Sequence, residues 1–268
     1  MTLGYDEPRP SEEDYHKTLS RLKENLGPFA ESGLSLMLFG SYVRGEAIYG
    51  ESDIDTVLIF PHDTVTDKGY IKEVGRAFAQ SIPRSFPLQV SPLDIGTARD
   101  GRFSSFGEDF GKYFLEEAQI AVGPDYRGEI TYEPSKSGPL TTTAHNLRVA
   151  RQGLILRQHY LETNRKKMIE KFHKTLKGTT SSLKQVLYLC DGELRRNRFA
   201  TIEALAEQFP EVDLNPLLTL KKHLQNPEEL EGLYQDDTDV ELVWNSSLTL
   251  FERVIKAYIN KFSVSKSI

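Results

Sequence analysis

The 268-residue sequence holds one cysteine, Cys190, and one tryptophan, Trp244. A single cysteine excludes an internal disulfide and any zinc centre built on paired thiolates, and it fits a reducing compartment. Long apolar runs are missing as well: no stretch approaches the roughly 18 to 20 residues of a membrane span. The opening residues, Met1 to Pro8, have neither the basic nor the apolar region of a secretory signal. The expectation is a cytoplasmic protein with no membrane partner. An excess of positive charge is the third absence. With 33 basic against 39 acidic residues and a net charge of -6, a uniformly basic nucleic-acid coat is excluded.

What remains is an ordinary globular composition, 38% apolar and 27% charged, in a chain long enough for one large domain or two smaller ones. Charge is segregated along it. Between Arg165 and Arg198 basic residues crowd together, with only Glu170, Asp191 and Glu193 as acidic counterparts.

Ser11, followed by Glu12, Glu13 and Asp14, has the form of a helix start. Tyr15, Leu19, Leu22, Leu26 and Phe29 then recur at helical spacing until Gly27-Pro28 disturbs it. Leu34 to Phe39 is a short apolar run ended by Gly40, which predicts a buried strand. Asp53 to Phe60 predicts a second strand stopped by Pro61. A helix with Ile71, Val74, Phe78 and Ile82 inward leads to a third strand, Leu88 to Ile95, whose Pro92 suits only an edge or a bulge. A further helix is expected from Ser105 to Ala118, and then the apolar run Ile120 to Val122 before Gly123-Pro124.

The segment Gly128 to Pro139 lacks apolar periodicity, and a boundary is expected there, between a first domain over 1–130 and a second over 140–268. Beyond it the pattern is helical: Leu147, Leu154, Ile155 and Tyr160 in one helix, Leu183 to Leu189 in another, Leu248 to Phe262 in a last one. The class is therefore α+β, an N-terminal domain of strands and helices followed by a C-terminal α-helical bundle.

The chemistry lies between the first two strands. A strand that ends in Gly40-Ser41 and turns into a short helix places backbone N–H groups and a hydroxyl where phosphate oxygens can bind. Asp53 and Asp55, one residue apart at the mouth of the next strand, point to one side while Ile54 points inward. Two carboxylates so close repel unless a cation lies between them. Magnesium commonly bridges one or two carboxylates to substrate phosphates, which joins the two motifs in one purpose.

Gly40-Ser41-Tyr42-Val43-Arg44-Gly45-Glu46-Ala47, followed by Ser52-Asp53-Ile54-Asp55, resembles the signature of the DNA polymerase β-like nucleotidyltransferase superfamily. The resemblance implies a mixed sheet with flanking helices. It also implies a site in which Asp53 and Asp55 bind two Mg²⁺ ions, with a third acid on a following strand. Asp94 in Ser91-Pro92-Leu93-Asp94-Ile95 is the best match for that acid, with Asp100 and Glu108 as nearby competitors. Arg44 could pair with a phosphate through its planar fork or serve as a surface ion partner.

The helical half resembles the smaller two-domain members such as kanamycin nucleotidyltransferase. Lys174, Lys177 and Lys184 could there neutralise a triphosphate or an RNA backbone, or belong to a solvated basic face. The implied activity is transfer of a nucleoside monophosphate, AMP from ATP, to an acceptor hydroxyl with release of pyrophosphate. The acceptor is left open between a small molecule such as an aminoglycoside, an RNA 3′ end and a protein side chain, and the rival of another class is a non-catalytic nucleotide-binding regulatory module. A second copy of the chain completing the cleft would suit the family, although no interface motif marks a homodimer. His145, His159 and His173 lack a second ligand at metal spacing, and Trp244 reads as core.

Overall fold

In the computed structural model the residues described here are 9–61, 67–84, 86–100, 114–132, 137–195, 199 and 201–263. The chain divides into two compact units, one running to Pro134 and the other from Ser135 onward.

In the first unit α1 (Glu12–Ala30) begins at a capping box. The Ser11 side chain accepts from the Asp14 amide, and the Asp14 carboxylate accepts from the Ser11 amide at 2.8 Å. The helix continues through Gly27 and Pro28 to Ala30, further than the sequence suggested. Pro28 stands in the last turn, and the carbonyls of Phe29 and Ala30 are taken by the amides of Ser32, Gly33 and Leu34. Two strands follow, β1 (Ser35–Phe39) and β2 (Ile54–Phe60).

Helix α2 (Lys68–Ser81) is capped by Asp67, which accepts from the amides of Gly69 and Tyr70. It buries Val74, Ala77 and Ser81, whereas Ile71 stays exposed. Strand β3 (Leu88–Asp94) leads directly into the short α3 (Ile95–Asp100). Of the helix expected over 105–118, the described part is α4 over 114–117; Ser105 and Glu108 lie outside the described residues. Strand β4 (Gln119–Val122) completes the sheet.

The sheet order is β3-β2-β1-β4, mixed as expected, with β1 antiparallel to both β2 and β4 and β3 parallel to β2. Pro92 therefore lies on an edge strand, where its missing N–H costs no ladder bond. Strand alternation sorts the core into two layers. Ile54, Leu58 and Phe60 pack with Tyr15, Leu22 and Val74 on the face of α1 and α2. Val57 and Ile59 pack with Met37, Ile95, Ala98 and Phe114 on the other.

The second unit is wholly helical: α5 (Ser137–Ile155), α6 (Arg157–Thr163), α7 (Arg165–Asp191), α8 (Ile202–Gln208), α9 (Asn215–Gln225), α10 (Pro227–Leu233) and α11 (Asp237–Ser263). The single helix expected through Leu147 and Tyr160 is in fact two, α5 and α6, meeting at Leu156. Ile155 beside that break is 79% exposed. Helix α7 is capped by Asn164, which accepts from the Lys167 amide, and ends at Gly192 in the left-handed conformation. Trp244 is fully buried against Phe172 in the core of this unit, as its sequence context suggested. Among the described residues no helix is long and apolar enough to cross a membrane.

Candidate active site

Strand β1 stops at Gly40, whose φ of 79° only glycine adopts without strain. The sharp exit also has a steric cause. A Cβ on Gly40 would stand 2.3 Å from Oδ2 of Asp55, so the bend lies directly against that carboxylate.

Residues 41–45 form one turn rather than the expected short helix. The Glu46 amide bonds the Ser41 carbonyl at 2.9 Å and the Gly45 amide bonds that of Tyr42 at 3.1 Å, with Gly45 at φ 70°. This is the pairing that ends helices at a left-handed glycine, and here it closes the helix after its first turn.

The loop from this turn to β2 is held from below by α1. Tyr15, fully buried, donates its hydroxyl proton to the Ser52 carbonyl and accepts from the Gly50 amide at 3.2 Å. Its ring stacks on Tyr42 and meets Tyr49 and Phe86 edge-on. The Ser52 hydroxyl accepts from the Ile48 amide at 2.9 Å, and Arg9 pairs with Glu51 at 2.9 Å. Asp53 thus emerges from a braced loop, and the Ile54 amide is at once fixed by the Pro87 carbonyl, 2.9 Å away.

Asp55 pairs in register with Phe39 on β1 and with Gln89 on β3. It belongs to the face of Val57 and Ile59, and alternation puts Asp53, one place ahead of the strand, on the same side. On that face Phe39 meets Phe114 of α4 edge-on, with ring centres 5.8 Å apart. One turn further along α4, Glu117 accepts from Nη1 of Arg44 at 3.3 Å, while Nε of Arg44 donates to Glu46 at 3.0 Å. Burial alone would lower the Arg44 pKa; the hydrogen bonds and charges of Glu46 and Glu117 outweigh it and hold the guanidinium still more firmly protonated. Arg44 is thus an ion partner of two carboxylates at the edge of the bend.

Asp94 does not join this group, which corrects the expectation that it completes the acid set. The parallel register sets Asp55 beside Gln89 and Phe60 beside Asp94, so Asp94 lies five residues further along β3, about 16 Å at 3.3 Å per residue. It also shares the sheet face of Phe60, opposite that of Asp55. Its carboxylate caps α3 instead, accepting from the Thr97 amide at 2.8 Å and from the Thr97 hydroxyl. Burial works to raise this carboxyl, yet the Thr97 hydroxyl and the amides of Thr97, Asp94 and Gly96 hold it below its ordinary value.

The structure therefore sets Asp55 against the Gly40 bend, with Ser41 and Arg44 in the turn that follows and Asp53 at the start of the same strand, and leaves Asp94 apart. Lys174, Lys177 and Lys184 lie on α7 of the helical unit, the first exposed and the other two half-buried. Sequence reading gave no part in the site to three residues of this unit: Tyr15, which braces the loop, Glu117, which anchors Arg44, and Gln89, the β3 neighbour of Asp55. Among the described residues no three His, Cys, Asp or Glu side chains gather as a metal cage. Two carboxylates completed by substrate phosphates are nevertheless a donor set that suits magnesium, all oxygen and anionic.

No curated protein matches the chain. Among solved structures, spectinomycin adenyltransferase AAD(9) from Enterococcus faecialis, crystallised with ATP and spectinomycin, is similar at 12% identity and a TM-score of 0.49, covering 88% of this chain and 99% of its own. Residues 17–84 match the family model of the nucleotidyltransferase domain. That match runs from α1 past the glycine bend and the aspartate pair and stops short of β3. The segment that builds the glycine bend and the aspartate pair is thus the segment that carries the nucleotidyltransferase-domain match.

Proposed function

We propose that the chain is a magnesium-dependent enzyme that moves AMP from ATP to a hydroxyl of a small, cationic acceptor such as an aminoglycoside, releasing pyrophosphate. The observation that carries this reading is the contact between the Gly40 bend and the Asp55 carboxylate, which joins a phosphate cradle to a cation site. Asp53 and Asp55 would hold magnesium together with the triphosphate, and the metal would supply Lewis-acid stabilisation of charge on the phosphate oxygens. Ser41 and the turn amides orient the triphosphate. The acceptor oxygen then forms a bond to the α-phosphorus, its hydroxyl proton passing to solvent, as the bond to the bridging oxygen of the β-phosphate breaks and pyrophosphate departs in line. The net charge of -6 favours a cationic acceptor and opposes a polyanionic one.

Offering α-labelled ATP, GTP, CTP and UTP with Mg²⁺ to the protein, beside separate pools of aminoglycosides, RNA and protein, tests the proposal directly. Label from ATP should enter the aminoglycoside pool. Label in RNA, with binding that weakens steeply as salt rises, would overturn the small-molecule acceptor. A non-catalytic nucleotide-binding module is the second reading, favoured by the separation of Asp94 from the aspartate pair. It predicts bound ATP and no pyrophosphate in every pool.

A further inference from the structure

We infer that Gln89 is the side chain that completes the aspartate site on its β3 flank, and that this neutral amide restricts the site to one divalent ion. The inference rests on the metal-nucleotide reading above and adds the number of ions and the residue that sets it.

Parallel neighbours in register point to the same face of the sheet and stand about 4.8 Å apart. Asp55 and Gln89 are such neighbours. The parity is fixed independently, because Leu93, four residues beyond Gln89, packs with Val57 and Ile59 in the layer on the Asp55 face. The height of Gln89 is fixed too: the Thr56 hydroxyl donates to the Gln89 carbonyl at 2.9 Å, so the strand cannot slip here without losing that bond. The Gln89 side chain is exposed, open to whatever occupies the space beside Asp55.

Charge decides what that space can hold. A triphosphate at the Gly40 bend would lie on the β1 side and supply charge to the ion it shares with Asp53 and Asp55. A second ion would lie on the β3 side, where Gln89 brings no negative charge to offset it. Its amide oxygen can ligate weakly, but it neither neutralises a cation nor takes a proton from a hydroxyl. Asp94 cannot substitute, since it faces the other side of the sheet and is occupied with α3. A carboxylate at position 89 would stand within one strand spacing of Asp55 and supply the missing charge.

The test is a titration of the full-length protein with Mn²⁺ in the presence of a non-hydrolysable ATP analogue, read by the electron paramagnetic resonance of free manganese. Wild type should bind one ion per chain with the analogue, and Gln89→Ala the same. Gln89→Glu should gain a second ion, bound roughly ten-fold or more tightly than any further ion on wild type. Asp55→Asn should lose the first ion. Two ions on wild type would overturn the inference while leaving the metal-nucleotide reading intact. A wild type that binds neither ion nor analogue would remove that reading and the inference with it. Equal stoichiometry in wild type and a folded Gln89→Glu variant would also overturn it.

Discussion

The strand pair β2–β3 has a carboxylate at each end, and the two serve different purposes. At the opening end Asp55 stands beside Gln89, against the Gly40 bend, and at the far end Asp94 stands beside Phe60 and caps α3. Both are half-buried aspartates at strand ends. The first lies against a glycine whose missing side chain leaves room for it. The second is turned back on its own chain by the hydroxyl and amide of Thr97. A carboxylate already satisfied by its own helix has little to offer a ligand, so position relative to the bend, and not acidity, distinguishes the two ends.

The sharpest way to break this contrast is to neutralise each acid without changing its shape. Asp55→Asn should lower nucleotidyl transfer by about 100-fold or more, the scale seen when one preorganised electrostatic group is removed from a reacting centre. Asp94→Asn should leave the rate within about two-fold, because asparagine caps a helix nearly as well as aspartate. Measuring pyrophosphate release for both variants decides it, and a severe loss in Asp94→Asn would return the far end to the chemistry.

A second, smaller effect is expected at Gly40. Alanine there must either leave the left-handed region or push Asp55 aside. The substitution should cost about 1–3 kcal/mol of stability and weaken binding of an ATP analogue, as read by thermal unfolding with and without nucleotide. Among the described residues no atom lies close to where a Cβ on Gly45 would stand, so Gly45→Ala should cost only the strain of its φ and disturb nucleotide binding less. Equal loss of binding in the two variants would contradict a direct contact between bend and carboxylate.

The contrast also explains what the sequence could disclose. Gly40-Ser41, the Asp53 and Asp55 pair, the Ser11 capping box and the edge position of Pro92 were legible because each depends on near neighbours. The third acid was misread because a short strand does not announce its register: moving a strand by one place reverses every side chain, and Asp94 differs from Gln89 by an odd number of residues. Tyr15 was visible only as a core position, since its bond to Ser52 joins residues 37 apart. The turn after Ser41 looked helical, and only the left-handed Gly45 shows why it closes after one turn. The break at Leu156 was hidden within a continuous apolar spacing.

A smaller prediction concerns the far end alone. Asp94→Ala removes the cap of α3 and should destabilise the protein by about 1 kcal/mol near neutral pH, as other N-cap losses do. That difference should also depend on pH. The folded Asp94 carboxyl lies below its ordinary value, so its ionised form is favoured by folding. The resulting stability is fully present above the unfolded pKa, near 3.9, and is lost as pH falls through the folded value. The gap in unfolding midpoint between wild type and Asp94→Ala should therefore be constant from pH 7 to about pH 5 and narrow below pH 4 as the wild-type cap is protonated. A gap that widens in acid would mean that Asp94 is not held as a carboxylate by Thr97, and the distinction between the two ends of the strand pair would lose its physical basis.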